Sequence, residues 1–181
     1  PNGGTVKNVL NGAKRATGRW VFTISPGDYL YDADTVSWLL ETLRRDTPRV
    51  LFGKLACYTE ANGTPIQRSG DAPFDPTPYR PGAYDAKTAK RNMLLYDDGI
   101  SGAGLVYDRV LLVKTLEKMA GRVLLAEDFA ARLFTVEEIP IAGYDRCIAW
   151  YEVGTGVSTN EGACARMLRD WRAMLELLRE L

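Results

Sequence analysis

The sequence predicts a mixed α/β layer fold, because helical and strand-type hydrophobic periods alternate along the chain and one hairpin signal interrupts them. The two clearest strands are Trp20 to Ile24, "WVFTI", and Arg49 to Tyr58, "RVLFGKLACY". Both are β-branched and aromatic runs bounded by turn residues. At 181 residues the chain is long enough for one domain with a real core and short for two, so residues 1–181 are read as a single domain.

Taken in order, Val6, Val9, Leu10 and Ala13 recur at helical spacing between Thr5 and Ala16, and Thr17-Gly18 closes that helix. The strand Trp20 to Ile24 follows, expected to be buried and central in the sheet. It stops at Ser25-Pro26-Gly27-Asp28, where Pro-Gly forces a turn. Asp32 or Asp34 then caps a helix carrying Val36, Leu39, Leu40 and Leu43, which ends before Thr47-Pro48. After the second strand, Asn62-Gly63 signals a hairpin with "TPIQRS" as the return strand. The four prolines and two glycines of "GDAPFDPTPYRPG", Gly70 to Gly82, mark a surface loop.

Asp85 to Leu94 reads as a short helix, "YDDGISGAGLVY" as a loop running into a strand, and Asp108 as the cap of a helix through Met119. Arg122 to Phe134 enters a helix near Glu127. Ile139 to Ile141 and Cys147 to Tyr151 read as two short strands. Asn160 to Leu181 is a long amphipathic helix with Ala163, Met167, Leu168, Trp171, Met174, Leu175 and Leu178 on one stripe.

Composition excludes several kinds of chemistry. The chain has no histidine, which removes Ser-His-Asp triads, Cys-His dyads and histidine metal sites together and leaves acid-base work mainly to carboxylates. Lys plus Arg and Asp plus Glu are both 23, so no global field favours nucleic acid or an anionic membrane. The three cysteines, Cys57, Cys147 and Cys164, are odd in number and scattered, which points to buried thiols in a reducing compartment. No signal peptide or membrane-spanning run is present, so the expected location is the cytoplasm, including the inner face of the membrane. The chain opens on "PNGGTVKNVL" without an initiator methionine, as one part of a longer protein would.

In α/β sheets ligands sit outside the carboxyl ends of strands, and Asp28 lies at such an end. Far along the chain, Glu127-Asp128 opens a helix. Each has a plain structural alternative: Asp28 satisfying backbone donors in its turn, and the acid pair favouring a positive helix N-terminus.

The order of helix, "ATGRWVFTISPGDYL", helix, "RVLFGKL", hairpin and then "LLAEDFAARLF" and "IAWYEVGTGVST" resembles family 2 of the inverting glycosyltransferases. The resemblance covers nearly the whole chain and implies a GT-A fold, a mixed sheet flanked by helices, incomplete at the N-terminus because family members begin with a nucleotide-binding half that is not seen here. It implies a nucleotide-sugar donor, a glycan or other hydroxyl acceptor, and no nucleic acid. In the family the acidic turn is a DXD-type motif whose carboxylates hold a divalent Mg²⁺ or Mn²⁺ on the donor diphosphate. Ser25 and Gly27 stand at its first and third positions, so Asp28 alone remains as the metal residue. The resemblance makes Asp128 the general base beside Glu127. It places Ser25, Asp28 and Ser158 near the donor diphosphate and Gly102, Ala103 and Gly104 beside the acceptor.

Other motifs carry less. Asp97-Asp98-Gly99 marks a turn, and the Gly102 to Gly104 segment lacks the P-loop lysine. Tyr151, Glu152, Ser158 and Thr159 follow the last strand in a segment that resembles the family's stretch near the donor diphosphate, with an ordinary loop an equal alternative. The aromatics of "PFDPTPYRPGAY" can stack on sugars or pack on their own domain. The arginines of the last helix, Arg166, Arg169, Arg172 and Arg179, flank a stripe expected to dock on the core, with a membrane-surface or homo-oligomer role second.

The expected function is therefore sugar transfer from a nucleotide sugar with inversion, in surface polysaccharide synthesis. A non-catalytic module binding a glycan or a partner protein is the alternative. A glycoside hydrolase using Asp28 and Asp128 is a distant third, supported by the carboxylates alone.

Overall fold

The structure, a computed structural model, describes residues 3–61, 64–68, 73–154 and 163–181. Its six strands are β1 (Trp20–Phe22), β2 (Tyr29–Leu30), β3 (Val50–Ala61), β4 (Thr64–Arg68), β5 (Leu105–Asp108) and β6 (Ile141–Glu152). Its helices are α1 (Thr5–Arg15), α2 (Thr35–Asp46), α3 (Ala86–Tyr96), α4 (Arg109–Met119), α5 (Ala130–Val136) and α6 (Ala163–Arg179).

The sheet runs β1-β5-β3-β6-β2, with β4 paired to the distal half of β3. β5 is antiparallel to both β1 and β3, β6 is parallel to β3, and β2 is antiparallel to β6. Side chains alternate across it with the two-residue period of a pleated strand. Val50, Phe52, Leu105 and Tyr107 enter the larger core with α1, α4, α5 and α6, whereas Leu51, Val106 and Ile148 meet Leu39 and Leu43 of α2. Helices thus cover both faces, and each fully buried side chain such as Leu116 or Met174 contributes roughly 1.5–3 kcal/mol.

Asp108 caps α4 as expected, accepting from Leu111 N at 3.0 Å, and Asp85 caps α3 by accepting from Thr88 N at 3.1 Å, whereas Asp34, at the N-cap of α2, accepts no capping hydrogen bond. α2 ends at Thr47, in the left-handed region at φ 46°, directly before Pro48. Among the described residues no helix is long and apolar enough to cross a membrane.

Four expectations are corrected. The strand expected over Trp20 to Ile24 spans only Trp20–Phe22, and it is a half-buried edge strand, not a buried central one; Ile24 is 46% exposed. Trp20 and Phe22 pack toward one core and Val21 toward the other, so its apolar run reports two covered faces and not two paired edges. The two late strands are one twelve-residue strand, β6. Its polar centre sits where the β3–β6 register shifts, and there Asp145 pairs with Lys54 at 2.6 Å and Arg146 with Asp32 at 3.2 Å.

The buried face of α6 is also rotated from the expected stripe. Met174 and Leu177 are buried and Met167, Trp171 and Leu178 pack on the core, but Leu168 and Leu175 are exposed. Within the proline-rich loop, Thr77–Tyr79 forms a 3₁₀ turn whose Tyr79 ring is buried against Phe52. The Asn62-Gly63 turn of the hairpin lies outside the described residues, as does part of the loop at 70–72.

β1, β3 and β6 run the same way, so their carboxyl ends share one sheet edge, and the segment entering β5 starts there too. That edge holds the residues with chemical potential.

Candidate active site

The turn after β1 is closed by Asp28 N donating to Ser25 O at 3.0 Å, and the Tyr58 hydroxyl donates to the Gly27 carbonyl. Asp28 Oδ1 accepts from Glu152 N at 3.0 Å, which ties the turn to the end of β6. Asp28 therefore does satisfy a backbone donor, while its side chain still lines a cavity. Gly27 has φ 95°, and a Cβ there would lie 2.0 Å from Glu152 Oε2. Burial raises the Asp28 carboxyl above its ordinary value; backbone hydrogen bonds at Glu152 and Ser25 oppose this and the Glu152 charge adds to it.

Opposite stands the acid pair. Glu127–Phe129 forms a 3₁₀ turn leading into α5. Gly102 makes room for it, since a Cβ at 102 would meet Asp128 Cβ at 2.7 Å. Burial and then the Asp128 charge push Glu127 up to about 7. Burial also raises Asp128, against the pull of the Arg132 guanidinium and nearby backbone amides. Arg132 is held by Asp97 at 2.5 Å and lies over the Trp171 ring, 4.2 Å from its centroid. Beneath the pair, burial and the two acid charges raise the Tyr107 hydroxyl well above its ordinary value.

A cavity of about 160 Å³ brings Ser25, Asp28, Gly102, Glu127, Asp128 and Glu152 together, with Ala103 and Tyr151 also on its wall. A second, of about 170 Å³, lies between Asp97–Ser101 and Arg132. Asp128 and Ser101 line both. Gly104 does not reach either: it is buried, and a Cβ there would meet the Gly53 carbonyl at 2.7 Å, so it is a packing residue. Ser158 and Thr159 lie outside the described residues. Asp98 is structural, its buried carboxylate accepting from Phe74 N and Asp75 N at 2.6 and 3.1 Å.

One site residue, Arg132, carried no role in the sequence reading. Glu152 stood there between a place near the donor diphosphate and an ordinary loop, and the Asp28 bridge fixes where it sits. Arg132 had a readable signal, because it is four residues after Asp128 and so on one face of the helix.

Among the described residues no three acids, cysteines or histidines cluster as a metal site would require. The turn and β6 bring Asp28 and Glu152 side by side, which is too few oxygens for a hard cation that wants about six.

No protein-family model matches the chain, and no curated protein does. Among solved structures it is similar to S. aureus TarS, a glycosyltransferase, with a TM-score of 0.54 at 15% identity over 98% of this chain and 27% of that one. It is also similar to S. aureus TarS 1-349, with a TM-score of 0.50 at 19% identity over 83% of this chain and 41% of that one. The chain thus spans less than half the length of either. At such identities the likeness shows fold alone: a GT-A-like mixed α/β sheet flanked by helices.

Proposed function

We propose that this module is the acceptor-side part of a nucleotide-sugar-dependent glycosyltransferase that transfers a sugar to a glycan hydroxyl with inversion, in surface polysaccharide synthesis. The observation that carries the reading is the position of Asp128 between two cavities. A carboxylate there can meet an acceptor hydroxyl in one cavity and face the anomeric carbon of a donor in the other. As the acceptor oxygen bonds to that carbon, its proton passes to Asp128 and the bond to the diphosphate oxygen breaks, releasing the nucleoside diphosphate. A carboxyl raised by burial is a stronger base for this step than one in water.

Ser25 and Asp28 would contact the donor diphosphate, Ser158 with them, and Gly102 and Ala103 would form part of the acceptor wall. Asp28 and Glu152 would hold a divalent Mg²⁺ or Mn²⁺ together with diphosphate oxygens. When bound, such an ion neutralises charge on the leaving group. The need is physical, since four carboxylates line the cavity and a diphosphate adds further negative charge. We place the activity in the cytoplasm, including the inner face of the membrane.

A second reading, a non-catalytic module that binds a glycan or a partner protein, is favoured by Ser25 and Gly27 standing where the turn would carry acids. Incubating the polypeptide that the gene encodes with nucleotide sugars and glycan acceptors separates the two. Release of nucleoside diphosphate with an inverted anomeric linkage is expected; glycan binding without release would establish the module.

A further inference from the structure

The buried face of α6 carries one charged residue. Asp170 is 1% exposed, one turn from Met174, which is wholly buried. Its carboxylate accepts three backbone N–H groups, from Leu124 at 3.1 Å through Oδ1 and from Leu125 at 2.6 Å and Ala126 at 3.1 Å through Oδ2. Residues 124–126 belong to no helix or strand, so these amides have no ladder of their own. From the other side Val6 N donates to the Leu124 carbonyl at 3.1 Å. The segment is clamped between α1 and α6, and the next residue is Glu127.

The same helix also grips the far side of the acid turn. Trp171 packs on Phe129 with ring centroids 4.9 Å apart, and Arg132, which faces Asp128, lies over the Trp171 ring. A buried charge is a costly way to hold a helix down, because a well-packed apolar residue does that as well or better. What a carboxylate adds is the capture of several amides at once with defined geometry.

We infer that Asp170 is a positioning residue for the Glu127-Asp128 pair, fixing the 124–126 backbone so that both carboxyls face the cleft. This rests on reading the pair as transfer machinery, but the positioning can be observed without turnover.

Asp170→Asn keeps the volume and places an NH₂ against backbone N–H groups. In ¹³C-labelled protein, the Glu127 carboxyl should titrate near 7 in the wild type and fall toward its ordinary 4.5 in the variant as the turn opens to water. The distant Asp46 carboxyl should titrate alike in both. A lower melting temperature with an unmoved Glu127 midpoint would overturn the proposal, since Asp170 would then merely dock α6.

Native-state hydrogen exchange of the wild type covers a variant that does not fold. The Leu124, Leu125 and Ala126 amides should be protected together with α6, and free-peptide rates there beside a protected α6 would also overturn it. In the transfer assay Asp170→Asn should lower kcat by about 10²-fold with little change in donor KM. Wild-type protein without transfer would retire the enzyme reading and leave the titration result standing.

Discussion

The Glu152 carboxylate occupies the space of the side chain that Gly27 lacks: a Cβ at position 27 would lie 2.0 Å from Glu152 Oε2. The turn after β1 carries no acid at Ser25 or Gly27, and the end of β6 sets one beside it from a position 125 residues later in the chain (152 − 27). The Asp28 bridge to the Glu152 amide holds that arrangement together.

Gly27→Ala should therefore destabilise the protein twice over, through backbone strain at φ 95° and through the clash with Glu152. Strain of this kind costs about 1–3 kcal/mol, visible as a lowered melting temperature. Removing Glu152 as well should return the clash but not the strain, giving a coupling of about 0.5–3 kcal/mol in a double-mutant cycle. Additive losses would show that Glu152 swings clear of position 27.

Stability should fall as pH rises through the Glu127 titration. Its folded pKa, about 7, lies above its ordinary 4.5, so between these values the folded state holds the proton that the unfolded state has released. Stability from this group is present below about 4.5 and lost by about 7. The charge acting on it is Asp128 on the same turn; Asp28 and Glu152 face it across the cavity, Tyr107 is buried beneath the pair and Arg132 lies beyond Asp128. Asp28 and Asp128 are raised too and push the same way. Glu127→Gln should remove a penalty on the order of 2 kcal/mol at pH 8 and little at pH 4.5. Denaturant melts at the two pH values check this; an equal effect at both would mean that Glu127 titrates as in water.

The layer order, the cap at Asp108 and the helix-opening acids were all readable, because each depends on local spacing or on a side chain within three residues of its partner. Sheet position was not. The run at Trp20 reports burial of two faces and is silent on which edges are paired, and β6 was hidden by Asp145 and Arg146 at its register shift. Of the site, the two acidic stretches could be found from sequence because each sits at an element boundary. Asp170 could not, since its partners lie about 45 residues away and an acid on an apolar helix stripe looks like a solvent-facing one; Glu152 was readable only as a residue of the segment after the last strand, because its bridge to Asp28 spans 124 residues. Gly104 misled for the converse reason: its missing side chain serves packing against Gly53, while its neighbour Gly102 serves the cleft.

Divalent cation binding should be weak without nucleotide. Asp28 and Glu152 supply two carboxylates, and among the described residues no third acid joins them in a metal cluster. Calorimetry with Mn²⁺ alone should show no strong event, and adding a nucleoside diphosphate should strengthen it. Glu152→Gln should weaken the ternary complex more than Ser25→Ala, because it removes a charge beside the cation. A tight stoichiometric Mn²⁺ isotherm in the absence of nucleotide would place the ligands elsewhere.

Asp128→Asn tests the proposed reaction most directly. The substitution keeps the shape that fits against Gly102, where only 2.7 Å would separate Asp128 Cβ from an added Cβ, but it removes the capacity to take a proton. Transfer should fall by the roughly 10² to 10⁴ typical of a lost general base, with nucleotide binding little changed because the proposed diphosphate contacts are Ser25 and Asp28. The melting temperature at pH 8 should hold or rise, since burial already opposes the charge on Asp128. Sugar transfer and melting are to be measured on the same pair of proteins. Undiminished transfer would exclude Asp128 as the base, and a collapsed melting temperature would assign its carboxylate to holding the turn, leaving the cleft without its proton acceptor.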